Sequence, residues 1–519
     1  MLVETLDNWL DALGERINPI LVKETRQALK SRQFSVTFML LLTASLIVSF
    51  GGVALSGPAL SFRSAGNSFF IAYFVVLAFA VFVIVPFGAY RSLASEQEER
   101  TFELISITKL NPRQIVAGKL LSAIIQMIIY FSAIGPCMTF TLLLKGIDAP
   151  SIALVLSLSA VASVGLSMVG LLLASMTRRR AWHIFVSVAL ITSLIFAMVL
   201  CIGIATGVIQ FVAPQMRTIE FWTGMACGLT IFVTYFVLAF QLSAAHLTFE
   251  ADNRSMRVRL TLAIQFVLCL GWLAYWWIGY GRGDLRNLII VAVLAAIHWF
   301  VVGTLLIGES AGISERVARE IPRRTWLQML LAFLLPGSDT GFAFLLINMT
   351  CFVAMLGLGE WTVDWIWPGA STAATTGGRH NTALIGLTLA SYIILYCGLG
   401  KAVAALIRRR RPVPALVCAA ATWIMAALGS AVPAFFALVL PNHQYQTYRI
   451  WQISDPIATL IEVHNMSRTL SLVFIPPALA AIVVLLNLRS MTMVISQIRL
   501  AAESPKAARR DVTSVGSRA

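Results

Sequence analysis

The sequence predicts an all-α, polytopic integral membrane protein with about twelve transmembrane helices and both termini in the cytoplasm. Three observations predict it. The first is composition: of 519 residues, 58% are hydrophobic and only 12% charged, about half the charge that a soluble globular chain carries. Mean hydropathy is +0.83. Several soluble domains could not be given a solvated surface from that supply, and collagen, coiled coil and disulfide scaffolds are excluded by the same figures. The second is periodicity of a coarse kind. Apolar runs of the roughly 20-residue length needed to cross a bilayer recur near 34–54, 69–89, 120–144, 151–176, 183–209, 221–245, 260–279, 287–307, 338–358, 382–406, 413–440 and 470–488. The third is the placement of the cations, whose excess over the anions gives a net charge of +15.

Short cytoplasmic loops are enriched in Lys and Arg. With the N-terminus inside, the segments on the cytoplasmic side hold 31 of the 39 cations and the outer loops hold 8. The reverse orientation would invert the bias. The basic balance is therefore read as a topology signal and not as a nucleic-acid footprint. The first apolar run follows 33 polar, charged residues, too long for the charged region of a cleavable signal peptide, so it reads as a retained span.

The acidic residues fall in loops or at span ends, and no carboxylate sits near a bilayer midplane. Ion-coupled transporters keep ionisable groups there to bind the coupling ion, so that chemistry is missing. Gln126, Gln241, Gln265, His298 and Asn348 lie within spans and read as interhelical hydrogen-bonding groups; His183 reads as interfacial. The seven cysteines lie in predicted spans without CxxC spacing, so neither a metal site nor a disulfide framework is expected. No catalytic residue is assigned: the chain has no GxSxG, no HExxH and no Walker A, and Gly118-Lys119-Leu120 lacks the Ser/Thr and upstream glycine of a phosphate loop.

The connection between the second and third runs, 90–119, has a definite order. An acidic helix end (Glu96, Glu98, Glu99) is followed by an apolar stripe containing Phe102, Leu104 and Leu110. Asn111-Pro112 then supplies an N-cap and a proline at the first helical position, starting a helix that runs through Gly118 and Lys119 into the third span. A short amphipathic surface helix of this kind suits docking into a partner's groove or lying on lipid.

This run resembles the signature of type-2 ABC exporter permeases, usually E-x-E-x-G-T-x-E-x-L-x-x-x-P-L-x-x-x-x-I-x-x-G-K. Glu96, Glu98, Thr101, Glu103, Leu110, Ile115, Gly118 and Lys119 fall on that pattern, with Glu99 and Leu104 at its variable positions, while Arg100 replaces the usual Gly and Lys109 the usual Pro. Asn18-Pro19-Ile20-Leu21-Val22-Lys23-Glu24-Thr25-Arg26 is similar to the family's opening elbow helix, N-capped by Asn18, with Lys23 and Arg26 able to reach lipid phosphates. After six spans, Leu247 to Ser255 is similar to the charged exit of a six-span unit. The resemblance covers residues 1 to about 260. It implies a membrane subunit of the bacterial cytoplasmic (inner) membrane whose loop docks on a separately encoded ABC ATPase. In that reading Glu96, Glu98, Glu99 and Glu103 pair with basic groups of the ATPase, Phe102 and Leu104 fill a cleft, and Pro112 fixes the turn. ATP and magnesium would be bound by that partner and no cofactor by this chain. Membrane lipid and a second permease or second copy are the other expected partners; nucleic acid is not one.

The expected organisation is an elbow segment at 1–33, a six-span permease-like domain at 34–259, a second six-span domain at 260–488 and a disordered basic tail at 489–519. The segment 308–326, leading through Trp326–Leu335 to Pro336-Gly337, reads either as a degenerate second coupling element or as part of an appended membrane domain. Trp361, Trp365, Trp367, Tyr445, Tyr448 and Trp451 suit an aromatic belt at the outer interface. Two other functions stay open at this point: an ion-coupled secondary transporter or channel, and a non-transporting scaffold built on the permease frame.

Overall fold

The computed structural model describes residues 19–56, 65–99, 111–144, 146–177, 180–212, 215–249, 252–279, 285–309, 317, 331–366, 382–408, 415–439, 450–465 and 470–516. Every regular element among them is helical. Twelve helices are long and apolar enough to cross a membrane, and they correspond one to one, in order, with the twelve apolar runs. The chain divides into two compact units, Met1–Thr248 and Phe249–Ala519, so the division falls at 248/249 and not at the expected 259/260. Arg259 lies in the second unit, where its side chain is bound by Leu335 and Glu309.

The first unit begins with α1 (Pro19–Lys30) and α2 (Arg32–Ser56). Ser31 makes the corner between them. Its hydroxyl donates to the Ala28 carbonyl at 2.7 Å and accepts from the Phe34 amide at 3.1 Å, closing one helix and capping the next. The second span is α3 (Gly66–Phe79), a π-helical turn at Ala80–Ile84, and α4 (Val85–Glu98). In that wider register the Val81 carbonyl would face the amide of residue 86, but Pro86 has none. The Ser163 hydroxyl donates to Val81 O instead, at 2.7 Å. The third to sixth spans are α5 (Pro112–Phe140), α6 (Ala149–Met176), α7 (Arg180–Gly207) and α8 (Ile219–Leu247). Between α5 and α6 the chain turns at Gly146, whose φ of 98° favours glycine. Asp148 then caps α6 through the Ser151 amide at 3.1 Å.

The core of this unit gathers on the second span. Phe70, Tyr73, Phe74, Leu77 and Phe82 are buried there, with Tyr130, Ile134 and Leu171 from the neighbouring spans. Gly170 of α6 is the close-approach point, since a Cβ at that position would lie 2.9 Å from the Pro86 carbonyl. The first, fifth and sixth spans present large apolar side chains outward, among them Phe50, Phe196 and Leu229. That is the surface a lipid-facing helix needs.

The second unit contains α9 (Ser255–Gly279), α10 (Leu285–Ile307), α11 (Ser338–Ile366), α12 (Thr382–Arg408) and α13 (Ala415–Val439). It closes with the short α14 (Pro456–Asn465) and α15 (Leu470–Val473), then α16 (Ile475–Gly516). The helix α16 continues beyond the last span through Gly516. Ala501, Ala502, Lys506, Ala507, Ala508, Arg509 and Arg510 are strong helix formers, and the last span provides the nucleus on which they propagate, although Pro505 removes one backbone donor. Trp361 and Trp365 are exposed near the end of α11, while Trp367, Tyr445 and Tyr448 lie outside the described residues. Pro336-Gly337 forms the expected turn, Gly337 having a φ of 140°. Most of 308–326 lies outside the described residues.

Candidate functional site

The third span starts as its sequence dictates. Asn111 is extended at the cap position, its amide donates to Gln114 Oε1 at 3.0 Å, and Pro112 occupies the first turn where no donor is missed. Two turns further on, Lys119 lies inside the protein, its side chain 1% exposed. Burying a lysine is costly unless it is paired and hydrogen-bonded, and here it donates to Glu24 and the Ser92 carbonyl and is ion-paired with Glu96. Lys119 Nζ lies 2.9 Å from Glu24 Oε1, 3.0 Å from Glu96 Oε2 and 3.0 Å from the Ser92 carbonyl. Lys23 Nζ stands 3.6 Å from the other oxygen of Glu96. One ammonium thus joins α1, the end of α4 and the start of α5.

A cavity of about 550 Å³ opens beside this corner. Gln27, Arg91, Glu99, Gln126 and Tyr130 line it together with the ion-paired residues. On its apolar side Tyr130 shares a 2.7 Å hydrogen bond with Thr37 and packs against the Phe34 ring, so α2 is bound to α5 as well. The two sides of the corner are anchored separately. Arg113 donates to Gln241 Oε1 at 2.8 Å, fastening the start of α5 to α8. The Gln97 amide, in its satisfied orientation, donates to the carbonyls of Ala174 and Thr177. His183 Nδ1 lies 3.1 Å from Thr177 Oγ1, and the His183 carbonyl accepts from Tyr90. His183 is therefore buried at the start of α7, against α4 and the end of α6.

The expected site residues are divided by the structure. Glu96, Gly118 and Lys119 are enclosed, whereas Glu98 and Glu99 are exposed and turned outward from the end of α4. Pro19, Lys23 and Arg26 are exposed along α1, compatible with a face toward lipid headgroups. Asn18, Thr101, Phe102, Glu103, Leu104 and Leu110 lie outside the described residues. Sequence reasoning assigned Glu24 to the elbow and Lys119 to the loop motif, and did not join them. The signal was present: Ile20 and Glu24 share a helix face at i, i+4, both are buried, and a carboxylate on a buried face requires a base. Thr37, Ser92 and Tyr130 were missed, and nothing in their spacing distinguishes them from ordinary span residues.

The intraspan polar residues are mixed in role. Gln241 bridges two helices, while Asn348 donates to the Phe344 carbonyl of its own helix. Gln265 is buried, with its Oε1 unpartnered among the described residues. Among those residues, Asp, Glu, Lys and Arg within the spans sit toward span ends. Comparison with known proteins finds no matching family model, no similar curated protein and no similar solved structure.

Proposed function

We propose that this chain is the membrane subunit of an ATP-binding-cassette exporter-like complex, residing in a bacterial cytoplasmic membrane and driven by a separate ATPase. The observation that carries the reading is the buried Lys119 corner. The two ends of the connection between the second and third spans, at Glu96 and at Lys119, are bound to each other and to the elbow helix by one ammonium. A force applied to that connection by a docked partner is delivered to three helices together, because displacing Lys119 from either carboxylate exposes an unpaired charge in a low-dielectric setting. The exposed Glu98 and Glu99 stand where they can meet basic groups of the partner. The absence of Asp, Glu, Lys and Arg from the middles of the described spans supports an energy source outside this chain. ATP and magnesium are bound by the partner in this reading, and this chain catalyses nothing itself.

The test is Phe102→Asp in the intact chain. It should abolish stimulation of the partner ATPase while leaving membrane insertion unchanged. Wild-type stimulation by the variant would overturn the docking role.

A further inference from the structure

The cavity beside the Lys119 corner has more polar wall than the ion pairs use. Lys119, Ser122, Gln126 and Tyr130 recur at i, i+3, i+7 and i+11 on one face of α5, and all four line it. The two ends of that face are committed, Lys119 to Glu24 and the Ser92 carbonyl, Tyr130 to Thr37. The two residues between them are not. Ser122 is only 4% exposed, yet neither its hydroxyl nor the Gln126 amide is hydrogen-bonded to a described residue. Gln126 lies within the apolar run 120–144, about 9 Å along the helix from its start. An amide facing only hydrocarbon at that depth is costly, so the cavity suits a polar occupant. Its volume of about 550 Å³ is that of a small-molecule site.

Three walls repeat one gradient. On α5 it runs from Lys119 through Ser122 and Gln126 to Tyr130. On α1 and the start of α2 it runs from Glu24 through Gln27 and Ser31 to Phe34. On α4, read backward from its end, it runs from Glu96 through Ser92 to Phe87 and Ile84. Contacts between the walls hold them in register. Lys119 meets Glu24 and Glu96 at the charged end, and the Phe34 and Tyr130 rings meet at the apolar end. Charge, then neutral hydrogen-bonding groups, then apolar surface is the order of parts in an amphiphile with an ester linkage. The lining carries Lys23, Arg91 and Lys119 against Glu24, Glu96 and Glu99. A purely anionic headgroup would meet as much repulsion as attraction there. Arg91 and Glu99 form no ion pair with a described residue, which leaves one charge of each sign for a headgroup that carries both.

We propose that this cavity binds one zwitterionic glycerophospholipid, whose phosphate meets Arg91 and whose ammonium meets the Glu99 carboxylate. Its ester oxygens meet the Ser122 hydroxyl and the Gln126 amide, and the first methylenes of its chains lie on Phe34, Phe87 and Ile84. The site stands independently of what drives the chain. The experiment is native mass measurement of the delipidated full-length chain titrated with dioleoylphosphatidylethanolamine, dioleoylphosphatidylglycerol or the water-soluble glycerophosphoethanolamine, with thermal melting of each sample. The expected result is one zwitterionic lipid per chain, bound about tenfold or more tightly than the anionic lipid, and no binding of the soluble headgroup at the same concentration. Two variants probe the walls. Gln126→Leu removes the amide, and Gly88→Leu fills the cavity, since a Cβ at Gly88 meets nothing within 4 Å. Each should weaken zwitterionic lipid binding about tenfold or more. Each should leave the delipidated chain melting at or above wild type, because the amide has no partner to lose and leucine is a better helix former than glycine. Failure of either lipid to bind, equal affinity for both, or equal binding of the soluble headgroup overturns the site. So does wild-type lipid affinity in either variant. A fall in the delipidated melting temperature of both variants would show that these positions serve the fold alone, and overturns it as well.

Discussion

Each unit fastens a corner with a buried cation, and the two use different chemistry. In the first, a lysine of α5 meets one carboxylate of α1 and a carboxylate and a carbonyl of α4. In the second, Arg259 satisfies the Glu309 carboxylate and a fan of carbonyls at a turn. The difference follows from the shapes of the cations. An ammonium is a compact point charge with three donors that can point at three elements, whereas a guanidinium is a planar fork that spans several acceptors lying close together. The lysine corner joins helices. The arginine corner stiffens one turn, Pro336-Gly337, against the helix before it. The units differ in their interiors as well. Aromatic residues on the second span fill the first unit, while in the second unit the fourth span is the most enclosed, with Cys397 and Tyr392 buried along it.

The comparison can be broken most sharply at Arg259. Arg259→Met leaves Glu309 without its buried cation and removes a donor from the Phe333, Leu335 and Gly337 carbonyls, and removing one partner of a buried pair costs about 3–5 kcal/mol. The detergent-solubilised protein should melt at markedly lower temperature. Arg259→Lys should recover only part of the loss, because one ammonium cannot reach every acceptor of the fork. Full recovery by lysine would mean that the two corners are interchangeable after all. Lys119→Met should cost less, about 1.5–3 kcal/mol, the scale of hydrogen bonds to charged groups, because Lys119 donates to Glu24 and the Ser92 carbonyl while Arg259 donates to Glu309, Thr340 and three carbonyls. Denaturant titration in mild detergent would rank the two variants, and a larger loss at Lys119 would invert the comparison.

Next come the glycines that let helices touch the second span of each unit. A Cβ at Gly170 would meet the Pro86 carbonyl at 2.9 Å, and one at Gly341 would meet the Leu306 carbonyl at 2.7 Å. Alanine is the better helix former by about 1 kcal/mol, yet both Gly170→Ala and Gly341→Ala should destabilise through overpacking, by about 1–3 kcal/mol. A stabilised variant at either site, seen by thermal melting, would show that the contact yields. The smallest effect belongs to Asn111→Ala, about 1 kcal/mol for a lost cap. It should appear as faster amide exchange at Gln114 and Ile115, with little change at the start of α9, which Asn253 caps through the Met256 amide.

Much of this was readable beforehand, and the particular residues explain why. The twelve spans are legible because each must exclude unsatisfied polar groups over its whole length, so composition alone reports them. Asn111-Pro112 and Asp148 are legible because caps act within one turn of chain. The burial of His183 was not legible, because three preceding arginines describe its neighbours in sequence while its burial depends on Tyr90 and Thr177.

By itself the sequence determined that this is a chain of membrane-spanning helices, how many there are, and where the helix starts are capped, since these depend on local composition and short-range hydrogen bonding. Only the tertiary structure decided that Glu24 belongs with Lys119 and that Arg259 belongs with Glu309. Those pairs lie 95 and 50 residues apart, and a buried charge is satisfied by whatever the fold brings within reach, regardless of its distance along the chain.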